Sequence, residues 1–203
     1  MSVRKLVASA AATAIACVAV PGAAQAEPNA VSCSPSPSVG APSTAGGLFG
    51  TAPLTFPAAL VQDWQLGTGG SRGAETTAAA RYSPGGRVMN LVEVGRLRVS
   101  PDSHDTAAMA LAFSLCRFPD RTAPSPRTTA DRRLTPVVIG GVKGTRVDLN
   151  VNIPDGPGGP ETDWFTVIVV GTTPTSYFLG GSNKGNAEAR GQVDTVLRAL
   201  RTR

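Results

Sequence analysis

The chain has one histidine, His104, three lysines, and aromatic residues at only 5 % of its 203 positions. A single imidazole is a single side chain that titrates near neutral pH unperturbed, so catalysis of the Ser-His-Asp kind would have to pass through His104. Three cysteines, at 17, 33 and 116, with that one histidine give no ligand spacing of the zinc type. No G-x-x-x-x-G-K-[ST] phosphate loop occurs, and "GTGGSRG" from Gly67 has Arg72 where the third glycine of G-x-G-x-x-G belongs. A G-x-S-x-G nucleophile elbow is also missing, because "GGSNK" ends in Lys184. Trp64 and Trp164 are few for a sugar-stacking cleft and read as core or hairpin-edge residues. The longest apolar run, Leu6 to Val20, is about 15 residues, short of the roughly 20 that span a bilayer.

That run follows Arg4 and Lys5 and precedes Ala24-Gln25-Ala26, the order of a secretory signal peptide over residues 1–26 cut before Glu27. A rival lies within it: Ala14-Ile15-Ala16-Cys17 resembles a lipobox, so Cys17 is a candidate lipidation site, although the usual leucine is Ala14 here. Membrane association is expected only if Cys17 is lipidated. Removal of 1–26 takes Arg4 and Lys5 and no acid, lowering the formal charge from +5 to +3. A charge that small, interspersed with acids, speaks against nucleic acid as a partner. Cleavage also leaves Cys33 and Cys116 as a pair in an oxidising compartment, where one disulfide is the expectation. It would close a loop of more than 80 residues.

Residues 27–52, rich in Pro, Ser, Gly and Ala, read as a flexible leader, and 53–203 suit a single domain. "LTFPAALVQDWQL" suggests a short extended entry. The segment 87–99 reads as a strand, with a bulge expected at Gly95. Ser100 suits an N-cap and Pro101 a first helical position, with Asp102 and Asp105 in the first turn. From there Ala108, Leu111, Ala112, Leu115 and Cys116 recur at helical spacing with Met109 and Phe113 beside them, and the helix ends near Arg117. "PDRTAPSPRTTADRR" reads as an exposed connection. After it come a strand, a glycine turn, and a clean alternation with Val147, Leu149, Val151 and Ile153 on one face. "DGPGGPET" is a hairpin loop, "DWFTVIVVG" the candidate central strand, 175–180 a further strand, and 186–201 an amphipathic helix. The order argues for an α+β domain: a mostly antiparallel sheet with helices packed on one face.

The helix begun by "SPDSHDTAAMALAF", the pair "VVIGGVKGTRVDLNVN", the return "DWFTVIVVG", "SYFLGG" and the closing helix resemble the actinobacterial LpqN-type lipoproteins, whose fold is PsbP-like. An excess of Arg over Lys, 16 to 3, agrees with a GC-rich actinobacterial source. The resemblance implies a secreted or envelope-attached domain that works by binding and carries no catalytic set. The weak lipobox departs from that pattern.

Ser103-His104-Asp105 cannot be a catalytic triad by itself, because consecutive residues at a helix start point about 100° apart around the axis. "DLNVNIPD" from Asp148 begins like a calcium loop, but Ile153 and Gly159 stand where Gly and Glu are required. For a glycosidase pair, Asp63, Glu75, Glu93, Asp148, Asp155, Glu161 and Asp163 are available and nothing singles out two. Arg117, Arg121, Arg127, Arg132 and Arg133 bracket the connection against Asp120 and Asp131, either as an anion-contacting patch or as a solvated loop. No catalytic residue, cofactor or metal site is assigned. The expectation is a non-enzymatic domain, secreted or in the cell envelope, that binds an envelope protein, a lipid or a small apolar ligand. Its alternatives are a small secreted hydrolase and an accessory protein lipidated at Cys17. Intact-mass measurement on protein from the exporting cells is expected to give a start at Glu27, whereas a lipid-modified Cys17 start would move the protein to the membrane surface.

Overall fold

The structure, a computed structural model, describes residues 30–34, 44–51, 53–67, 72–84, 90–101, 103–121, 126–156 and 159–203. The signal segment and Cys17 lie outside them. Seven strands form one antiparallel sheet in the order β3 (Gln65–Gly67), β4 (Ala74–Tyr82), β5 (Asn90–Leu97), β9 (Ser176–Asn183), β8 (Glu161–Val170), β7 (Val142–Ile153), β6 (Thr128–Ile139). A second sheet joins β1 (Leu48–Thr51), β2 (Leu54–Pro57) and β10 (Arg201–Thr202). Two helices complete the α+β fold, α1 (Thr106–Arg117) and α2 (Ala187–Arg198).

The helices do not share a face of the sheet, which corrects the expectation of one covered side. Side chains alternate along a strand, so β8 divides its residues between two cores. Val167 and Val169 pack with Met109 and Phe113 of α1, whereas Trp164, Ile168 and Val170 pack with Val193 and Val196 of α2 and with Phe49 and Phe56 of the small sheet. A strand covered on both faces reads as a continuous β-branched run, as "FTVIVV" does. β7 alternates because Val147, Leu149 and Val151 enter the α1-side core while Arg146 and Asp148 pair on the opposite face. The middle position of the seven belongs to β9, with β8 next to it.

On the α1 side, Phe113 stacks against Tyr177 with ring centroids 4.6 Å apart, and the Tyr177 hydroxyl meets Thr77 Oγ1 at 2.6 Å, so the buried phenol is satisfied. On the α2 side, Gly180 lets the helix close on the sheet, since a Cβ there would lie 2.5 Å from Val193 Cγ1. Gly95 has the same kind of role against β4: a Cβ would fall 1.8 Å from the Thr76 carbonyl oxygen. The register slip expected at Gly95 lies across from it, between Ala74 and Thr76.

Several boundaries differ from the sequence reading. The N-cap of α1 is Asp105, whose Oδ1 accepts the Ala107 N–H at 2.8 Å. Ser100 instead closes a turn, its carbonyl accepting the Ser103 N–H at 3.0 Å across Pro101, which suits the second position of a turn as well as a helix start. Leu115, expected on the buried stripe, is 40 % exposed, while Ala108, Met109, Ala112, Phe113 and Cys116 are buried. β4 has no counterpart in the sequence pattern, because the Glu and Ala of its "ETTAAA" have low strand propensity. β6 begins at Thr128, inside the expected connection, and a slip between Ala130 and Arg133 is taken up at Asp131, where φ is 56°.

Within the expected leader, 35–43 lies outside the described residues, but its flanks have defined places. Ala30 and Val31 are buried, and β1 pairs with β2. Residues 30–34 form a strap: Val31 bridges Val99, the Ser32 N–H donates to the Arg98 carbonyl at 3.0 Å, and the Ser100 N–H donates to that of Ala30 at 3.2 Å. A disulfide from Cys33 to Cys116 ties the strap to α1 across 83 residues, Cα to Cα 5.3 Å. For a loop of that length the chain-entropy treatment gives roughly 4 to 5 kcal/mol. Reduction at mildly acidic pH, where both released thiols are protonated, is therefore expected to lower Tm by roughly 10 °C in calorimetry. An unchanged transition would show the bridge to be energetically idle.

Candidate functional site

Ser103 and His104 both line a cavity of about 590 Å³, with Glu75, Met109 and Thr172, at the N-terminal end of α1. They do not assemble into a nucleophile and base. The Ser103 hydroxyl is buried without a hydrogen-bond partner among the described residues, His104 is exposed, and the Asp105 carboxylate is taken up as the helix cap. A triad needs the base bonded to the hydroxyl on one ring nitrogen and to the acid on the other, and neither link is present here.

Asp148 accepts from Arg146 Nε at 3.0 Å and Nη2 at 2.8 Å, and Asn152 accepts from the Thr162 hydroxyl at 3.0 Å, so the D-x-N-x-N side chains are spent within the sheet. Among the described residues no three His, Cys, Asp or Glu converge as a metal site.

Four arginines converge at the other end of α1. Arg72, Arg117, Arg121 and Arg127, with Cys116 and Pro119, line a cleft of about 550 Å³, and none of its described lining residues is acidic. Each arginine arrives there for a local reason. Arg117 is the last residue of α1, and its Nη2 donates to the Glu93 carboxylate at 2.8 Å beneath the helix. Its Nε is buried without a hydrogen-bond partner among the described residues. Arg121 and Arg127 are held side by side by mutual backbone hydrogen bonds, both 2.9 Å, and Arg127 Nε donates to the Pro119 carbonyl at 3.2 Å. Arg72 is brought in by the strap, since the next residue, Gly73, donates its N–H to the Ser34 carbonyl at 3.5 Å and accepts from the Arg98 N–H at 2.9 Å.

The electrostatics follow from this crowding. Burial first, then the guanidiniums of Arg121, Arg117 and Arg72, hold Arg127 below the usual arginine range. The acids expected to balance the patch face elsewhere. Asp120 accepts from the Thr129 N–H at 2.8 Å and its hydroxyl at 3.1 Å, bonds that keep its carboxyl below the ordinary value, and Asp131 accepts from Asn150 Nδ2 at 2.5 Å. Of the five arginines noted in the sequence, three therefore line the cleft. Arg132 donates to Thr129 Oγ1 and Arg133 is exposed on β6. Arg72 was not among the five, because nothing in its loop sequence reports the strap that carries it there.

Guanidiniums gathered around a cleft whose described lining carries no acid, with Glu93 engaging Arg117 from beneath, form a receptor for phosphate or carboxylate groups. No family model and no curated protein matches the chain.

Two substitutions separate the ends of α1. Arg117→Met would leave Glu93, 1 % exposed, without its guanidinium, and is expected to cost roughly 3 kcal/mol in denaturant unfolding, the low end for a buried pair because Arg117 is 27 % exposed. His104→Ala is expected to change stability by less than about 0.5 kcal/mol, as for an ordinary surface position. A large loss at His104 would mean that it has a structural or catalytic role not visible in its contacts.

Proposed function

We propose that the chain is an exported, disulfide-stapled binding domain that acts without covalent chemistry on its ligand and captures an anionic molecule in the arginine cleft. The observation that carries the reading is the gathering of Arg72, Arg117, Arg121 and Arg127 around one cavity from which Asp120 and Asp131 are turned away. A volume of about 550 Å³ suits a ligand larger than one phosphate, so the ligand class is a molecule bearing two or more phosphate or carboxylate groups. A charged ligand takes the place of the envelope protein, lipid or small apolar ligand expected from the export signal and the absence of a catalytic set. Export is supported by the disulfide, a bond that persists in oxidising compartments, and by the signal-peptide order of residues 1–26. Kinship with LpqN-type proteins of PsbP-like fold belongs to the same proposal, resting on the order of elements and the apolar and glycine patterns quoted above.

Four guanidiniums against the single carboxylate of Glu93 leave the empty cleft net positive, and an anion that neutralises the excess stabilises the folded protein by mass action. Pyrophosphate and citrate serve as probes. Each is expected to raise Tm at low ionic strength with a benefit that falls steeply as salt is added, and Arg121→Gln and Arg127→Gln are each expected to weaken calorimetric binding at least tenfold. No shift in Tm with either anion, or full binding by both variants, would overturn the reading.

A further inference from the structure

The disulfide reaches the cleft wall through Cys116, and its two cysteines stand in different surroundings. Cys33 is exposed on the strap, whereas Cys116 is 4 % exposed and lines the cleft with Arg72, Arg117, Arg121 and Arg127. We propose that the Cys33–Cys116 bond is exchange-active: an external thiolate attacks Cys33, Cys116 leaves as a thiolate held among the guanidiniums, and Cys33 is a site of mixed-disulfide formation. The proposal rests on the positive field of the same cleft and not on which anion the cleft takes.

The step balances without a proton. The incoming sulfur forms a bond to Cys33 Sγ, the Cys33–Cys116 bond breaks, and its electron pair stays on Cys116 Sγ. With a small dithiol as reductant, its second thiolate then attacks its own sulfur in the mixed disulfide. This releases Cys33 as a thiolate, and the dithiol becomes a cyclic disulfide after giving up two electrons in all.

Two physical effects direct the attack to Cys33. Access favours the exposed residue, and exchange is faster when the leaving thiol has a low pKa, which the arginines around the cleft favour against the burial of Cys116 and the C-terminal end of α1. Stabilising the thiolate also stabilises the reduced state relative to an ordinary structural disulfide. A bound anion and the Cys116 thiolate need the same guanidiniums, so each weakens the other by the same factor.

The test uses the oxidised protein with 2-mercaptoethanesulfonate as attacking thiol, peptide mass spectrometry to locate the adduct, and ultraviolet absorbance to titrate the thiolates after full reduction. The expected results are an adduct on Cys33 and one thiol ionising at least a full pH unit below the ordinary value of about 8.5. Arg121→Gln and Arg127→Gln should each raise that value and slow exchange several-fold, while Arg133→Gln, outside the cleft, changes neither. Because the folded pKa of Cys116 would lie below its unfolded value, the reduced form gains stability above the unfolded pKa and loses it as pH falls through the folded one. The drop in Tm on reduction should therefore be smaller at pH 9 than at pH 5. An adduct on Cys116, or two thiols that both ionise near 8.5 or higher, would overturn the inference. Pyrophosphate binding with ordinary thiols would overturn this inference alone; a depressed thiol pKa without anion binding would support it and sink only the ligand reading.

Discussion

The carboxylate of Glu93 lies on the α1 side of β5 with 1 % of its surface exposed, and a charge in that position has to be answered within hydrogen-bonding distance. Arg117 answers it at 2.8 Å. That requirement fixes where α1 ends relative to the sheet, since a helix of 12 residues is about 18 Å long and its other end is set by the Asp105 cap. A cation in the last turn also complements the helix dipole. The pair leaves Arg117 Nε with no acceptor among the described residues, so one guanidinium of the cleft is positioned but incompletely used. The cleft begins from that residue.

The strap supplies what the helix cannot. Residues 30–34 run beside Arg98–Ser100, and the disulfide holds Cys33 against α1 while Ser34 accepts the Gly73 N–H. Arg72 thus reaches Arg117 from 45 positions earlier through three covalent or hydrogen-bonded links, all on the α1 side of the sheet. The other face is organised separately, with Val193 over Gly180 and the Phe49–Phe56 pair, centroids 5.0 Å apart, in a core of its own. Packing changes on the α2 side are accordingly remote from the cleft, whereas changes beneath Phe113 or at the strap act on it directly.

Local rules were sufficient where side-chain pattern and backbone agree. α1 and α2 end near where helical periodicity fails, the alternation of Val147, Leu149 and Val151 marks one buried face, and the cysteine pair is the one expected. They misled where two signals compete. Ser100-Pro101 satisfies a turn as readily as a helix start, alanines 78 to 80 are buried in a strand despite low propensity, and Thr/Arg-rich 128–133 is strand because it pairs with β7. The placement of two helices on opposite faces was legible only in the unbroken run "FTVIVV", which implies cover on both sides. The site was half visible: the arginines near the connection stood out in the chain, but which three of five turn inward depends on hydrogen bonds made by Asp120 and Thr129, and Arg72 depends on the strap.

Arginines that repel one another do not gather without restraints, and the restraints here are mostly backbone ones. Arg121 and Arg127 are held by their mutual main-chain pair and by Pro119, Arg117 by Glu93, Arg72 by the Gly73 contacts. A solvated loop would let these side chains diverge into water, where like charges are screened within roughly 10 Å. The fold instead holds them around one cavity and directs the nearby carboxylates to Thr129 and Asn150. Such an arrangement carries a standing repulsion that any negative charge relieves, whether it arrives on a ligand or forms on Cys116. Anion capture and disulfide exchange are therefore two consequences of a single electrostatic feature, and the disulfide that carries Arg72 into place is the covalent element most exposed to its effect.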